Sequence, residues 1–499
     1  MRAELAAALT GASLLVWTAA ASAAERITVG VSSLPAGQGN PYTTGGFPGI
    51  DLYSAMFDGL AELHEDGTLK PALAESWIAE NPTTWVFTLR PGVTFANGVP
   101  FDAAAVEANY RILTSEQAQA WSMIREVRNI AAVTARDALT IEVRTRTPDL
   151  MTPARFAALK MVEPGAWAAR GAEGFAKQPV GTGPYAVTRW AAQQVEMAES
   201  PNAWRKPHVP ALMVRAVPET SARLAGVQGG ALDVALNLGP EDIAALEAFG
   251  GRMHVYPQSG VMGMSYILVK DTPLSDPRVR RAVTYAVNRQ AIVDQVFAGR
   301  AKVASQAAPS PAFGHDPDLK PFPYDPDRAR ALLAEAGYPD GFSFTVDVMI
   351  VNSTDSPLWQ QVAADLAKVG VRMTVNVMPF ARYNQGLYQG AWTGAAFGMN
   401  YGSLPALDPM VGFQYHSCLW LKPWICDAEQ ANLIKAIMAE FDRDRRQEMT
   451  RRLQRMTADP PIGLFLYEVT RFDGLGPRVT AYRSPFGYTS YRDIAVKDD

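Results

Sequence analysis

Residues 84–101 constrain the fold of this chain more than any other stretch. Trp85, Phe87 and Leu89 alternate with Val86, Thr88 and Arg90. A period of two in aromatic and β-branched residues is the pattern of a strand with one buried face. Pro91-Gly92 and Asn97-Gly98 then mark turns, because proline presets φ and glycine adopts positive φ without a steric cost. Asp102 stands as an N-cap for a helix that carries Val106, Tyr110 and Leu113 on one side. A strand, two turns and a capped helix in one short run point to an α/β arrangement and, taken alone, to a structural role.

The chain has 499 residues, 48% hydrophobic and 19% charged, which is enough for a large core divided among about two or three domains. A formal charge of −4 gives no electrostatic reason to expect nucleic acid, an acidic polymer or a polybasic membrane contact as a partner. Residues 1–23 read as a secretory leader: Arg2 is its positive end, residues 5–21 its apolar run, and Ala21-Ser22-Ala23 its small-residue cleavage site. Cleavage is expected after Ala23, with Ala24 as the alternative. No cysteine lies there to take a lipid, and no later apolar run is long enough to span a bilayer. The mature protein is therefore expected to be soluble and exported, most simply into a bacterial periplasm. Cys418 and Cys426 are the only cysteines. In an oxidising compartment they can close a short local disulfide, the reading favoured here, or remain as two buried thiols.

Taken in order, the chain predicts a strand over 27–31, an irregular loop over 35–49 and a helix over 52–60. A helix over 103–113 and strands within 131–143, turning at Asp137-Ala138, follow. Gly181, Gly183 and Ala186 fit a dinucleotide fingerprint in spacing alone. Pro184 and the strand-like run after it leave no helix N-terminus to hold a pyrophosphate, so no cofactor is expected. A helix over 220–229 and a short buried strand over 266–269 come next. Asp276 caps and Pro277 opens a helix with Val279, Ala282, Val283, Ala286 and Val287 on one stripe; Arg278, Arg280, Arg281 and Arg289 are read as its solvated face. Asp325-Pro326 opens another helix, closed by Gly337. Strand 342–349, helix 358–369 and strand 371–377 form a unit with a parallel crossover. A helical region over 428–458 and a strand over 462–467 complete the pattern.

Catalytic signatures are missing from the sequence. Gly263-Met264-Ser265 lacks the closing glycine of a nucleophile elbow, and neither His-Glu-x-x-His nor Cys-x-x-Cys occurs. The five histidines are scattered. His416 and Cys418, two apart, are the nearest approach to a metal pair and too few to hold an ion, so no metal site is expected. Nothing in the sequence supports an enzyme.

Several motifs in order carry a resemblance: Leu73-Ala74-Glu75-Ser76-Trp77; Phe87-Thr88-Leu89-Arg90-Pro91-Gly92-Val93-Thr94-Phe95; Asn97-Gly98-Val99-Pro100-Phe101; Val180-Gly181-Thr182-Gly183-Pro184-Tyr185; and Tyr324-Asp325-Pro326 with the helix after it. From about Ile27 to beyond Tyr467 the chain resembles the family 5 solute-binding proteins of ABC importers, which carry peptides, nickel complexes and opines. The resemblance implies an α/β, two-lobed periplasmic binding protein fold of the class C type with an extra accessory domain. Its expected division is signal peptide 1–23, lobe 1 in segments 24–61, 180–270 and 475–499, accessory domain 62–179, and lobe 2 over 271–474. It also implies a monomer that closes around a small solute and delivers it to a permease in the inner membrane. Closure excludes water and biases a hinge equilibrium. The rival readings are a nickel-chelate or haem carrier on the same fold, and an exported hydrolase.

Two segments match the family's solute-contacting positions. Gly45, Gly46 and Phe47 fall where peptide-binding relatives pair main chain with solute. Phe397, Gly398, Met399, Asn400 and Tyr401 match a Trp-x-x-Asp-Tyr element whose aspartate anchors a peptide ammonium, and Trp392 is added as a stacking residue. Asn400 replaces that aspartate. An amide offers a donor and an acceptor but no charge, so peptide-like, opine-like or sugar-conjugate solutes without an anchored ammonium are expected.

Overall fold

The computed structural model describes residues 26–44, 46–64, 66–403, 407–485 and 487–497. The expected leader and Gly45 lie outside them. Among the described residues one 11-stranded sheet runs through both lobes. From one edge its strands are Arg372–Val377, Ser343–Val348, Ala396–Gly402, Arg252–Tyr266, Gly463–Leu475, Val234–Ala235, Arg26–Val31, Ala211–Ala216, Gln194–Glu199 and Tyr185–Trp190, with Lys302–Val303 joined to Gly463–Leu475. The strands Ser343–Val348 and Arg372–Val377 pair in parallel, with the helix Asp355–Ala367 as the crossover.

Two long strands hold the sheet together across the lobes. Arg252–Tyr266 and Gly463–Leu475 pair antiparallel, but their register breaks between Pro257 and Val261. On one side of the break Arg252 to Pro257 face Leu475 to Thr470, beside Val234–Ala235; on the other, Val261 to Ser265 face Glu468 to Gly463, beside Ala396–Gly402. Such a break leaves residues unpaired and bends the ribbon. The partners change inside both strands, whereas the sequence reading drew its seams at 270 and 474. Of the strand expected over 266–269 only Tyr266 is strand, as the last residue of a 15-residue strand, and residues 268–269 turn away from it. Pro257, Gly260 and Gly263 conceal its length, since proline and glycine read as strand breakers.

A second sheet, in the order Ala74–Asn81, Thr84–Leu89, Thr140–Thr145, Ile130–Ala135, forms the accessory region. Phe87 and Leu89 are fully buried and Thr88 is exposed, as the alternation predicts, while Val86 is also covered because the strand is internal to its sheet. Gly92 and Gly98 both adopt positive φ, and Asp102 accepts from the backbone N–H of Ala105 at 2.9 Å to cap the helix Ala103–Leu113. Trp85 donates to the carbonyl of Asp149, and its ring lies 5.8 Å from Phe441, so this region packs on the C-terminal part of the chain and takes no part in the cleft. Its apolar residues belong to the same core cluster as Ile27, Val29 and Leu212, so the accessory region and lobe 1 share one hydrophobic core.

The Gly181–Gly183 run packs against the end of the helix Gly49–Met56. A Cβ on Gly183 would sit 2.4 Å from the carbonyl carbon of Met56, which accounts for a glycine there without any phosphate. Asp276 and Asp325 cap the helices Pro277–Ala286 and Pro326–Glu335 as expected. The first of these stops at Ala286, and Asn288 caps a separate helix, Arg289–Val296, by accepting from Ala291. The arginines there are not one solvated face. Arg278 and Arg281 make outer ion pairs, but Arg280 is buried on the carbonyls of Leu274, Ser275 and Pro461, and buried Arg289 donates to those of Phe322 and Thr284. The 428–458 region divides into the helices Ala428–Ala439 and Arg443–Ala458, with Asp442 capping the second.

Candidate functional site

Where the two long strands change partners, a cavity of about 440 Å³ opens between the lobes. Lobe 1 lines it with Ser32, Phe47, Arg223 and Asn237, lobe 2 with Phe297, Asn352 and Asn400, and the crossing strands with Gln258, Met262, Thr470 and Arg471. Among the described residues the lining contains two guanidinium groups and no carboxylate.

The floor is a buried ionic cluster. Arg471 donates from Nη1 to Asp51 at 2.9 Å and from Nε to Asp473 at 3.0 Å. Asp473 also accepts from the backbone N–H of Asn237 and the hydroxyls of Tyr256 and Tyr482, and Asp51 from the N–H of Thr489. Burial pushes the Asp51 carboxyl up, against the pull of Arg471, and the two carboxylates around Arg471 hold its guanidinium charged despite burial. The Arg471 Cζ lies 5.1 Å from the centre of the Phe47 ring, which is one-third exposed. Arg223 differs: all its donors go to the carbonyls of Leu236, Val217, Pro218 and Asn237 and the hydroxyl of Thr220.

Of the residues singled out by sequence, Phe47 and Asn400 come together in this cavity. Gly46 lies one residue from Phe47, with its N–H on the hydroxyl of Thr44, and is not among the lining. Phe397, Met399 and Tyr401 point away, for a reason built into the strand Ala396–Gly402. Successive side chains alternate, so Gly398 and Asn400 share one face and Phe397, Met399 and Tyr401 the other. Gly398 lies under Trp359, where a Cβ would meet the indole at 2.5 Å. Phe397 is fully buried and stacks on Trp392 with centroids 4.0 Å apart and planes 11° apart, edge-on to Trp424. Met399 packs near the hydroxyl of Tyr383, which donates to the carbonyl of Gly398. Trp392, Phe397 and Tyr401 are therefore packed in a hydrophobic core cluster and are not among the residues that line this cavity.

Tyr401 belongs to a buried polar chain instead. Its hydroxyl and Ser265 Oγ are 2.7 Å apart, Ser265 Oγ is 2.7 Å from His416 Nε2, and His416 Nδ1 is 2.9 Å from the carbonyl of Gly412. With Nδ1 as the donor, Nε2 accepts from Ser265, and the neutral imidazole satisfies every group. Ser265 and His416 are both fully buried, so a solute cannot reach this serine–histidine pair. Cys418 is bonded to Cys426 and so offers no thiolate, and both ring nitrogens of His416 are engaged by Ser265 and the carbonyl of Gly412.

Burial lowers the His416 pKa from 6.5 to about 4. The unfolded chain takes up this proton below about pH 6.5 and the folded protein only below about pH 4, so stability is lost as pH falls through that window. The expected loss is up to about 3 kcal/mol. Urea unfolding at stepped pH checks it: the His416→Gln variant should show a flatter profile there, and an unchanged slope refutes the assignment.

Sequence reasoning missed Arg471, Gln258 and Thr470. The visible signal was the run Glu468-Val469-Thr470-Arg471-Phe472-Asp473, where charges interrupt an apolar strand pattern without a turn residue between them.

Residues 68–417 match "Bacterial extracellular solute-binding proteins, family 5 Middle". The glutathione-binding protein GsiB of Salmonella paratyphi A is 32% identical over 348 residues, covering 68% of this chain and 67% of that protein. Among solved structures, HbpA2 from Haemophilus parasuis superposes with a TM-score of 0.81 at 22% identity, covering 95% of this chain and 100% of that one. NikA from Brucella suis, solved with Fe(III)-EDTA, gives a TM-score of 0.80 at 19% identity over 95% and 100%. The motifs that run in order through the chain, the two-lobed sheet and these likenesses agree: the chain belongs to the family 5 extracellular solute-binding proteins of ABC importers.

Proposed function

We propose that this protein is the periplasmic receptor of an ABC importer for a peptide-like solute or an opine- or sugar-type conjugate. It captures the solute as a monomer between its lobes and hands it to the inner-membrane permease without chemical change. The leader expected over residues 1–23 supports export. The observation that carries the reading is a cavity shared by both lobes at the register break of the crossing strands. A solute there bridges Phe47 on one side and Asn400 on the other, so its binding favours the closed arrangement over the open one.

The lining bears on solute chemistry. Asn400, Gln258, Asn352 and Thr470 offer amide and hydroxyl groups, and no carboxylate lines the described cavity. An ammonium buried there meets no countercharge, whereas hydroxyl, carbonyl and amide groups find partners. Calorimetry with a panel tests this: an N-acetylated peptide, the same peptide with a free amino terminus, an opine and glutathione, the last taken from the name of GsiB. The blocked peptide should bind more tightly than the free one; the reverse order overturns the reading. An absorption spectrum of the purified protein that shows a bound chromophore or metal would favour a haem or chelate carrier instead.

Asn400→Asp is expected to move preference toward ammonium-bearing members of the panel by about tenfold, the scale of one charge-assisted hydrogen bond. Unmoved affinities would mean that Asn400 does not touch the solute.

A further inference from the structure

We propose that Arg471 reads an oxyanion on the captured solute, so that the solute is an acid. The proposal rests on the receptor reading and narrows it. A guanidinium has two faces and a fixed fork of N–H edges. Both kinds of surface are accounted for here except one. Phe47 lies 5.1 Å and Tyr256 5.8 Å from Cζ, so aromatic rings attend the planar group. Nη1 is held by Asp51 and Nε by Asp473. Nη2 is buried and has no acceptor. A buried N–H left without a partner costs about 1–3 kcal/mol, which an arriving oxyanion removes.

The surroundings favour this over a purely structural ion cluster. Arg471 lines the cavity; Asp51 and Asp473 do not. Those carboxylates are committed to donors behind the floor, from Thr489, Asn237, Tyr256 and Tyr482, and so hold the guanidinium in one orientation. A fork fixed in place before binding loses little rotamer freedom when the ligand arrives. Arg223, the other cation in the lining, donates to carbonyls and a hydroxyl but to no carboxylate, and adds positive potential to the same space. Asn400 across the cavity supplies no opposing charge. The acid and the absence of an anchored ammonium describe one solute class: a carboxylate- or phosphate-bearing molecule whose amino groups are blocked or missing.

The test uses the mature protein and small probes, so it does not depend on knowing the solute. The side-chain ¹⁵N–¹H signals of the arginines are recorded by NMR, and that of Arg471 is identified by the change in ring current in Phe47→Leu. Sodium acetate and inorganic phosphate are titrated separately at constant ionic strength, with acetamide as the uncharged control. Acetate or phosphate is expected to move the Arg471 signal saturably in the millimolar range, and whichever binds more tightly identifies the oxyanion. Acetamide should leave it in place. A signal that neither anion moves, or that acetamide moves equally, overturns the proposal. If that happens while members of the solute panel still bind, only the acid assignment falls. If the panel fails as well, the receptor reading falls with it.

Discussion

Arg471→Met is expected to destabilise the protein by about 3–5 kcal/mol, the scale seen when one partner of a buried ion pair is removed. The side chain is similar in length, so the loss is electrostatic rather than a cavity effect. Asp51 and Asp473 are both nearly inaccessible, and Arg471 is the cation that hydrogen-bonds to each. Without it two buried carboxylates keep their hydroxyl and backbone donors but lose their countercharge. Adding Asp51→Asn to Arg471→Met should recover part of the loss, because an amide has no charge left to compensate. Urea unfolding of the two variants measures this. A loss below about 1 kcal/mol, the scale of a solvated pair, would show that water reaches the cluster.

Phe397→Ala should cost a comparable amount, about 3–5 kcal/mol, while leaving the native protein's affinity for its solute unchanged. Phe397 is fully buried, stacked on the face of Trp392, edge-on to Trp424 and packed near Tyr383, so its removal leaves a cavity in the middle of lobe 2. The lining of the cleft, three residues along the strand at Asn400, faces the other way. Unfolding and calorimetry on the same variant separate the two outcomes. A collapse in affinity with little change in stability would return Phe397 to the solute site.

That pair of residues shows where the sequence was legible and where it was not. Family membership rests on the resemblance carried by several motifs in order, while the helix caps at Asp102, Asp276 and Asp325 and the parallel crossover follow from local chemistry: a short polar side chain before a helix, or alternation within a strand. Phe47 and Asn400, singled out through motif position, line the same cavity. Assigning the neighbours of Asn400 to the same site ignored the period of two that places Phe397 and Tyr401 on the opposite face. Arg280 and Arg289 were misread because arginine's default environment is water. Only tertiary folding brings the carbonyls of Pro461 and Phe322 to them. Arg471 was hidden for a related reason, since its partner Asp51 is 420 residues away in sequence.

The register break between Pro257 and Val261 has a mechanical consequence. Two covalent crossings that lie side by side, hydrogen-bonded to each other above and below the break, behave as two knuckles on one pin. The lobes can swing about that line, but swivelling or sliding past one another would tear ladder bonds on both flanks. Motion between the lobes is thereby expected to follow one coordinate, an angle, and a permease would meet a shape that this angle describes. A molecule too bulky for the cavity would hold the angle short of its end point. It would stay bound without presenting the shape the permease accepts, so passage would be decided by how far the angle travels as well as by how tightly the molecule is held.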